Sequence, residues 1–166
     1  MSESGKRFDA ETLRATNAED RPDLARWCYA CGDLNPIGLH LHFTMQDDGW
    51  ASAPFVADKL HQGYPGYVHG GLVSTLLDEA MGWATYGAGI WALTGKLELS
   101  FRKPVPVDET LTVRARITRD RGRIIEAVAE LRDASGMLVA DAKGLLFRAT
   151  GEQAKLIEES ARALGT

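Results

Sequence analysis

Hydrophobic residues follow two different periodicities along the chain, and the changes between them predict the order of the structural elements. From Leu39 onward they alternate with polar residues, as in a strand with one buried face. Between Gly70 and Tyr86 they recur at helical spacing. After Gly89 the alternation returns. The pattern therefore predicts strands, one helix, and then further strands.

Two strands are predicted before the helix. The first covers about 39–46 and has one apolar face. The Asp-Asp-Gly turn at 47–49 then leads into a second strand at about 50–56, where Pro54 indicates an edge position or a bulge. Residues 61–68 contain three helix and strand breakers and are predicted to form a loop. The apolar face of the first strand consists of Leu39, Leu41, Phe43 and Met45.

The predicted helix is apolar on nearly all sides, which is typical of a buried helix. Its remaining positions form one narrow line of small and polar residues at i, i+3, i+4 and i+7 spacing. Asp78 is the only acidic residue on that line, so we expect its carboxylate to be buried or to open into a narrow cleft. The line consists of Gly71, Ser74, Thr75, Asp78, Gly82 and Thr85.

Four strands and a short amphipathic helix are predicted after Gly89. A meander of strands beside one apolar helix predicts an α+β domain whose antiparallel sheet wraps around that long central helix. The strands cover about 91–103, 110–119, 124–132 and 137–149, and the helix covers 152–164.

The length of 166 residues suits a single domain with a substantial core. We divide the chain into an N-terminal arm with a cysteine-containing loop at 1–38, a main domain at 39–150 and a C-terminal helix at 151–166. Residues 1–27 are polar and weakly patterned, and one short helix is expected before or after Pro22.

Composition narrows the class of protein. Hydrophobic residues make up 45% and charged residues 25%, as in an ordinary globular protein. No apolar stretch approaches the roughly 20 residues of a membrane helix, and no secretory signal is visible, so a cytoplasmic location is expected. The net charge of −4, with both signs interspersed, argues against nucleic acid as a partner.

The two cysteines, Cys28 and Cys31, have Cys-x-x-Cys spacing. Without an export signal, a structural disulfide is not expected. Zinc would need two more ligands, and His40 and His42 follow closely, but these histidines also fit the polar face of the first strand. We therefore assign no metal, and no βαβ context supports thioredoxin-type redox chemistry.

The start of the predicted helix offers chemistry of its own. Free backbone N–H groups and the positive end of the helix dipole lie there, and Gly70 and Gly71 allow a ligand to approach the backbone closely. Such donors suit a carbonyl oxygen that gains negative charge, although tight packing also explains a glycine pair. Asp78, two turns later, is suited to act as a nucleophile or as a base that activates water. Glu79 points about 100° away and is expected to face solvent or an interface.

The run from His61 to Gly82, HQGYPGYVHGGLVSTLLDEAMG, resembles the signature of hotdog-fold thioesterases of the phenylacetate-pathway and thioesterase-superfamily kind. The similarity extends over about 28–149, including the Phe-Arg-Lys-Pro strand end at 101–104. The opening from Cys28 to Leu39 resembles that of a bacterial subgroup, where it is commonly a fold feature.

This resemblance implies a hotdog fold and hydrolysis of an acyl-CoA thioester. Asp78 would be the catalytic carboxylate, and the Gly70 N–H would polarise the thioester carbonyl at a turn shaped by His69. Thr94 would help to position the attacking water. The family usually forms dimers, in which the Gly70 loop of one subunit faces Asp78 and Thr94 of the other, and many members pair dimers into tetramers.

The resemblance also implies substrate contacts. Several members carry an asparagine where this chain has Gly63, so either Gln62 replaces it or the amide is dispensable. Gly71 shares the helix start with Gly70 and is expected to contact substrate. The coenzyme A phosphates need basic residues, for which the candidates are Arg102, Lys103, Arg119, Arg121 and Arg123. The aromatic candidates for an acyl pocket are Tyr67, Trp83, Tyr86 and Trp91, which also fit a core role.

Two other functions fit the same sequence. The first is a non-catalytic module that binds acyl-CoA or another small ligand, since a fold does not fix a function. The second is a hydratase or dehydratase, which would need a histidine placed with a carboxylate for proton transfer at carbon.

No cofactor is expected, because coenzyme A is part of the substrate. The acyl group stays open among aryl, medium-chain and long-chain types.

Overall fold

The computed structural model describes residues 26–162, with side chains described as far as residue 159. The short helix predicted around Pro22 lies outside these residues. The described part contains six strands and two α-helices, with a single 3-10 turn at Lys59–His61. The strands are β1 (Thr44–Met45), β2 (Ala51–Val56), β3 (Ala92–Phe101), β4 (Thr110–Asp120), β5 (Ile124–Arg132) and β6 (Leu138–Arg148), and the helices are α1 (Gly70–Gly87) and α2 (Gly151–Arg162).

All six strands join one antiparallel sheet, in the order β1-β2-β4-β5-β6-β3. Helix α1 packs across this sheet, and its contacts include the central strands β4 and β5. The apolar face of β5 is buried, and that of β4 is buried from Leu111 to Ala115 and partly buried at Ile117, in agreement with the predicted alternation. The predicted α+β architecture, with an antiparallel sheet around one central helix, is therefore confirmed.

The first strand is shorter than predicted. Residues 39–43 lie outside the sheet, because the N–H groups of Leu39 and Leu41 donate to the carbonyls of Tyr29 and Ala30 at 2.8 and 2.9 Å. His40 interrupts the strand geometry with a φ of 51°. The alternation was correct for burial, since Leu39, Leu41 and Phe43 all lie in the core. The segment thus fastens the cysteine loop to the domain.

The hairpin between β1 and β2 confirms the turn prediction. Gly49 adopts a φ of 83°, a conformation that favours glycine, and the Gln46 N–H donates to the Trp50 carbonyl at 2.7 Å. Strand β1 pairs only with Ala51 and Ser52, so the outer side of β2 is open at Pro54. This matches the edge position that proline requires.

Strand β3 forms the other edge of the sheet, with β6 as its only neighbour in the described part of the chain. Leu93 and Phe101 are consequently 46% and 56% exposed. The register shifts between Thr94 and Lys96. Gly95 occupies this bulge, because a Cβ atom there would overlap the Phe147 ring. A bulge redirects the neighbouring side chains, so it sets the direction of Thr94.

The four strands after α1 and the C-terminal helix agree with their predicted ranges to within about two residues. Across residues 26–162, none of the helices is both long enough and apolar enough to cross a membrane.

Candidate active site

His69 caps helix α1 and shapes the turn that precedes it. Its Nδ1 accepts a hydrogen bond from the Gly71 N–H at 2.9 Å, and its carbonyl accepts from Leu72 and Val73. Its own N–H donates to the His61 carbonyl at 2.8 Å. Because Nδ1 is an acceptor here, it carries no proton in this arrangement. The imidazole therefore satisfies one of the orphan donors at the helix start.

Capping occupies the Gly71 N–H but not that of Gly70. No hydrogen bond among residues 26–162 uses the Gly70 N–H as a donor. A Cβ atom at Gly70 would lie 3.3 Å from Cζ of Phe101, so the glycine allows this helix start to sit close to the end of β3. The result is a free N–H at the positive end of the helix dipole, the arrangement required to polarise a carbonyl. Gly71, whose N–H is bonded to His69, is not equivalent to Gly70.

Asp78 carries an unsatisfied buried acceptor. Its Oδ1 is buried and has no hydrogen-bond partner within the described part of the chain. The hydroxyl groups of Ser74, Thr75 and Thr85 on the same line of α1 all donate to carbonyls of their own helix. Buried polar atoms normally have partners, so an exception on a carboxylate is a candidate for chemistry.

Asp78 and Gly70 are separated along the helix. Asp78 follows Gly70 by eight helical steps, which correspond to about 12 Å at a rise of about 1.5 Å per residue. Thr94 lies on the exposed edge strand β3, opposite Leu146. Within one chain, Gly70 and Asp78 therefore lie on α1 and Thr94 lies on β3. Gly70 and Asp78 of the same chain do not come together.

Gln62 and Gly63 form the loop that leads to the helix start. The Gln62 Oε1 accepts from the Gly66 N–H at 3.2 Å, which closes the loop. A Cβ atom at Gly63 would lie 3.2 Å from Cα and 3.3 Å from Cδ2 of His69. A larger residue would therefore press on the capping histidine. Both residues contact the turn that His69 shapes.

The sequence predicted that Glu79 faces solvent or an interface, but within the chain its side chain contacts Trp83 and the cysteine loop. Glu79 is half-buried, and its Oε1 accepts a hydrogen bond from the Trp83 Nε1–H at 3.0 Å. The Cys28 Sγ lies 3.7 and 3.8 Å from its two carboxylate oxygens. Burial, together with the negative charge at Cys28, raises the pKa of Glu79 to about 7. The sequence missed this contact because it joins residues 51 positions apart.

The cysteines form a close pair of free thiols beside Glu79. A hydrogen bond from the Cys31 thiol, assisted by the backbone N–H groups of Cys31 and Ala30, lowers the pKa of Cys28 to about 5. The same bond raises the pKa of Cys31. The histidines considered with them are not part of this group: His40 Nδ1 lies 2.9 Å from the Gly32 carbonyl oxygen.

The basic candidates lie on the surface. Arg102 pairs with Asp141 through distances of 2.5 and 3.2 Å, while the Lys103 ammonium contacts the Met137 sulfur. Arg121 pairs with Glu126 at 2.6 Å, and Arg119 and Arg123 are exposed. Arg102 and Lys103 directly follow Phe101, the last residue of β3, whose ring lies close to Gly70.

The aromatic candidates are divided between core and surface. Trp83 is buried and stacks on Phe43 with ring centroids 5.6 Å apart, which gives it a core role. Tyr86 bridges Trp83 and half-buried Trp91 at 5.1 and 5.0 Å, and Tyr67 is 47% exposed.

Comparison with known proteins addresses the class of this domain. A family model described as "Thioesterase superfamily" matches residues 65–140, a range that includes the Gly70 turn, all of α1 and all of β3. The acyl-coenzyme A thioesterase THEM4 of Bos taurus is 32% identical over 117 residues, which are 70% of this chain and 46% of that protein. A putative esterase of Archaeoglobus fulgidus is 26% identical over 101 residues, covering 61% of this chain and 66% of its own. The chain spans about half the length of the THEM4 relative.

Solved structures agree on the fold. A crystal structure of a thioesterase superfamily protein aligns with a TM-score of 0.71 and 28% identity, over 75% of this chain and 61% of its own. The E. coli PaaI protein from the phenylacetic acid degradation operon aligns with a TM-score of 0.64 and 22% identity, over 68% and 82%. A Streptococcus mutans protein bound to acetyl CoA aligns with a TM-score of 0.62 and 20% identity, over 66% and 88%.

The fold and the site therefore define a hotdog domain, with one long helix held in an antiparallel sheet. A thioesterase superfamily model matches the part of this domain that holds α1 and β3, and the resemblance inferred from the His61–Gly82 run is confirmed.

Proposed function

We propose that this chain hydrolyses an acyl-CoA thioester to a free acid and coenzyme A. The observation that carries the proposal is the buried Asp78 Oδ1, which has no partner among the described residues and lies on the helix whose first N–H is also free. A carboxylate acceptor and a backbone donor are the two groups that thioester hydrolysis needs. The relation to acyl-coenzyme A thioesterase THEM4 supports the same reaction.

In this reaction, Asp78 accepts a proton from a water molecule that attacks the thioester carbonyl carbon. The carbonyl oxygen gains negative charge and is stabilised by the Gly70 N–H. Cleavage of the carbon–sulfur bond then releases coenzyme A as a thiolate, which takes up a proton, and leaves the carboxylic acid. Asp78 can instead attack the carbonyl itself, giving an acyl anhydride that water hydrolyses to the same products. No cofactor takes part in either route.

We infer that two chains build each site. The roughly 12 Å between Gly70 and Asp78 along α1 is too long for both to contact one thioester carbonyl. The open edge of β3, with exposed Leu93 and Phe101, offers a surface for a second copy of the chain. Phe101 also packs near Gly70, so a chain paired at β3 would bring its own Asp78 and Thr94 toward this Gly70 turn. Thr94 would then hold the attacking water.

Coenzyme A is the proposed leaving group, and acyl-CoA the proposed substrate. A structural neighbour from Streptococcus mutans holds acetyl CoA on the same fold. We assign phosphate binding to Arg102 and Lys103, which follow β3 near the Gly70 turn, and contacts around the thioester to Gln62, Gly63 and Gly71. Because Arg102 already pairs with Asp141, it would contribute to phosphate binding by exchanging that partner.

The test is release of free thiol from a panel of acyl-CoA esters that differ in chain length and include aryl groups. The expected result is turnover with at least one class, with the free acid formed in equal amount. Equilibrium binding of the same esters is measured in parallel. Tight binding without thiol release would support the binding-module alternative and would contradict hydrolysis, whereas hydration of an enoyl-CoA without hydrolysis would support the hydratase alternative.

A further inference from the structure

Cys28, Cys31 and Glu79 bring three potential metal ligands together away from the proposed thioester site. One sulfur from each cysteine and one carboxylate oxygen of Glu79 all lie within 4.8 Å of one another. The cysteines come from the loop before β1, and Glu79 comes from the middle of α1. All three residues are half-buried, so these ligands are preorganised by packing rather than free on a surface.

The cysteine loop is built to present its sulfur atoms. The Gly32 N–H donates to the Cys28 carbonyl at 2.9 Å, which closes a tight turn around the pair. A Cβ atom at Gly32 would lie 2.3 Å from the Arg26 carbonyl oxygen, so only glycine fits after Cys31. Backbone N–H groups of Ala30 and Cys31 favour the charged form of Cys28, the thiolate that a metal requires.

The side chain of Trp83 orients Glu79, the third potential ligand. The Trp83 Nε1–H holds one oxygen of Glu79 at 3.0 Å, and a donor of this type sets the orientation of a metal-binding carboxylate. The ligand atoms are acidic, and their close approach is unfavourable when more than one is charged. A divalent cation between them removes this repulsion.

We propose that Cys28, Cys31 and Glu79 bind a zinc ion. Two thiolates and one carboxylate form a ligand set that zinc accepts, and soft sulfur ligands exclude magnesium and calcium. Binding displaces the thiol protons to solvent as the sulfur–zinc bonds form. Three protein ligands leave the fourth tetrahedral position to water.

This zinc ion would fasten the N-terminal loop to α1 one residue from Asp78. The loop also contacts the domain through residues 39–43, through the Cys28–Glu79 contact and through Ala30, which lies in the core. The proposed role is to hold the loop on α1, with no part in the thioester chemistry. The proposal stands or falls independently of the hydrolase assignment.

The test uses the full chain, purified under reducing conditions, stripped of metal with a chelator and then titrated with Zn²⁺ or Co²⁺. One equivalent per chain is expected to bind. The cobalt form should show sulfur-to-cobalt charge-transfer absorption, which reports thiolate ligation directly. Titration of the zinc form with an organomercurial should release the zinc as the thiols react, a measurement that needs no folded variant.

Three variants identify the ligands. Cys28→Ser and Cys31→Ser should each reduce the charge-transfer band by at least about half, and Glu79→Gln should weaken zinc binding by at least about tenfold. Glu109→Gln, which changes an exposed carboxylate, is the matched control and should bind as the unaltered chain does. Zinc bound equally well after both cysteines are replaced, cobalt bound without a charge-transfer band, or no stoichiometric binding by the reduced chain would each overturn the proposal.

Discussion

Asp78 and Glu79 are neighbours in the chain but serve different parts of the molecule. Asp78 Oδ1 is buried without a partner in the described structure, whereas Glu79 is held by Trp83 and lies against Cys28. The two carboxylates are separated by about 100° around α1, which turns one toward the line of small residues and the other toward the cysteine loop. A single helix turn thus carries both the proposed catalytic carboxylate and the proposed metal ligand.

Asp78→Asn should lower kcat by about 10²- to 10⁴-fold, because an amide accepts no proton from water. Its free energy of unfolding should stay within about 1 kcal/mol of the unaltered chain, since asparagine keeps the shape and removes a buried charge. Thiol release and chemical denaturation measure the two effects. Asp47→Asn, at an exposed turn, is the matched control. Turnover retained in Asp78→Asn but lost in Glu79→Gln would reverse the assignment of the two carboxylates.

Gly70→Pro should remove the proposed carbonyl donor without breaking the helix. Proline lacks the N–H, is favoured at the first helical position, and requires an extended residue before it, which His69 provides with a ψ of 133°. We expect kcat to fall by about 10²- to 10³-fold. Gly70→Ala is the control, because it adds a similar contact with Phe101 but keeps the N–H. Equal loss in both variants would indicate crowding at Phe101 and would argue against the donor role.

A mixed dimer tests whether two chains share each site. One chain carries Gly70→Pro and the other Asp78→Asn, and differently tagged copies are purified together. If sites are shared, one of the two sites is intact, and the mixed dimer should have about half the activity of the unaltered dimer. Each variant alone should be nearly inactive. A mixed dimer as inactive as its parents would mean that each site lies within one chain.

His69→Ala should destabilise the domain by about 1 kcal/mol, because the Gly71 N–H loses its cap. His69→Asn should restore most of this loss, since asparagine is a good capping residue. Both stability and kcat are measured. Recovery of both in His69→Asn is the result expected of a positioning residue. Recovery of stability alone would mean that the imidazole itself takes part in the reaction.

In the metal-free, reduced chain, Cys28 should react with iodoacetamide well below the usual pH range of a thiol. Its pKa of about 5 means that the thiolate predominates at pH 6 to 7, whereas an ordinary cysteine titrates near 8.5. Because the folded pKa lies below the unfolded value, this group's contribution to stability is lost as pH falls through about 5. Cys31→Ala should move the alkylation midpoint upward, since Cys31 is the main cause of the shift. An unchanged midpoint would contradict this.

The sequence was sufficient for features that depend on local pattern. Alternation located β2 to β6, and the turn at Gly49 followed from its residues. The extent of the first strand was wrong because Leu39 and Leu41 bond to the backbone of Tyr29 and Ala30, a pairing that periodicity does not encode. The burial pattern was still correct there, since it depends on side-chain spacing alone.

The environment of Glu79 could not be predicted for a similar reason. Its neighbours Cys28 and Cys31 are distant in sequence, and only the folded loop brings them to α1. The histidines beside the cysteines were the nearer candidates, but the turn at Gly32 directs the His40 ring to a carbonyl. Spacing within one segment singled out Asp78 as a candidate, whereas the environment of Glu79 depends on contacts between segments.

The open edge of β3 has a consequence for folding yield. Under the proposed pairing at β3, a chain that has folded but not yet bound a second copy exposes a ten-residue strand that any extended peptide can join. The exposed Lys96–Glu98 pair lies on this edge, and stripping water from its charges opposes pairing with an unrelated strand. Refolding should therefore succeed over a limited window of protein concentration. At low protein concentration, pairing at β3 would be too slow to cover the edge. At high concentration, chains would aggregate through the same edge.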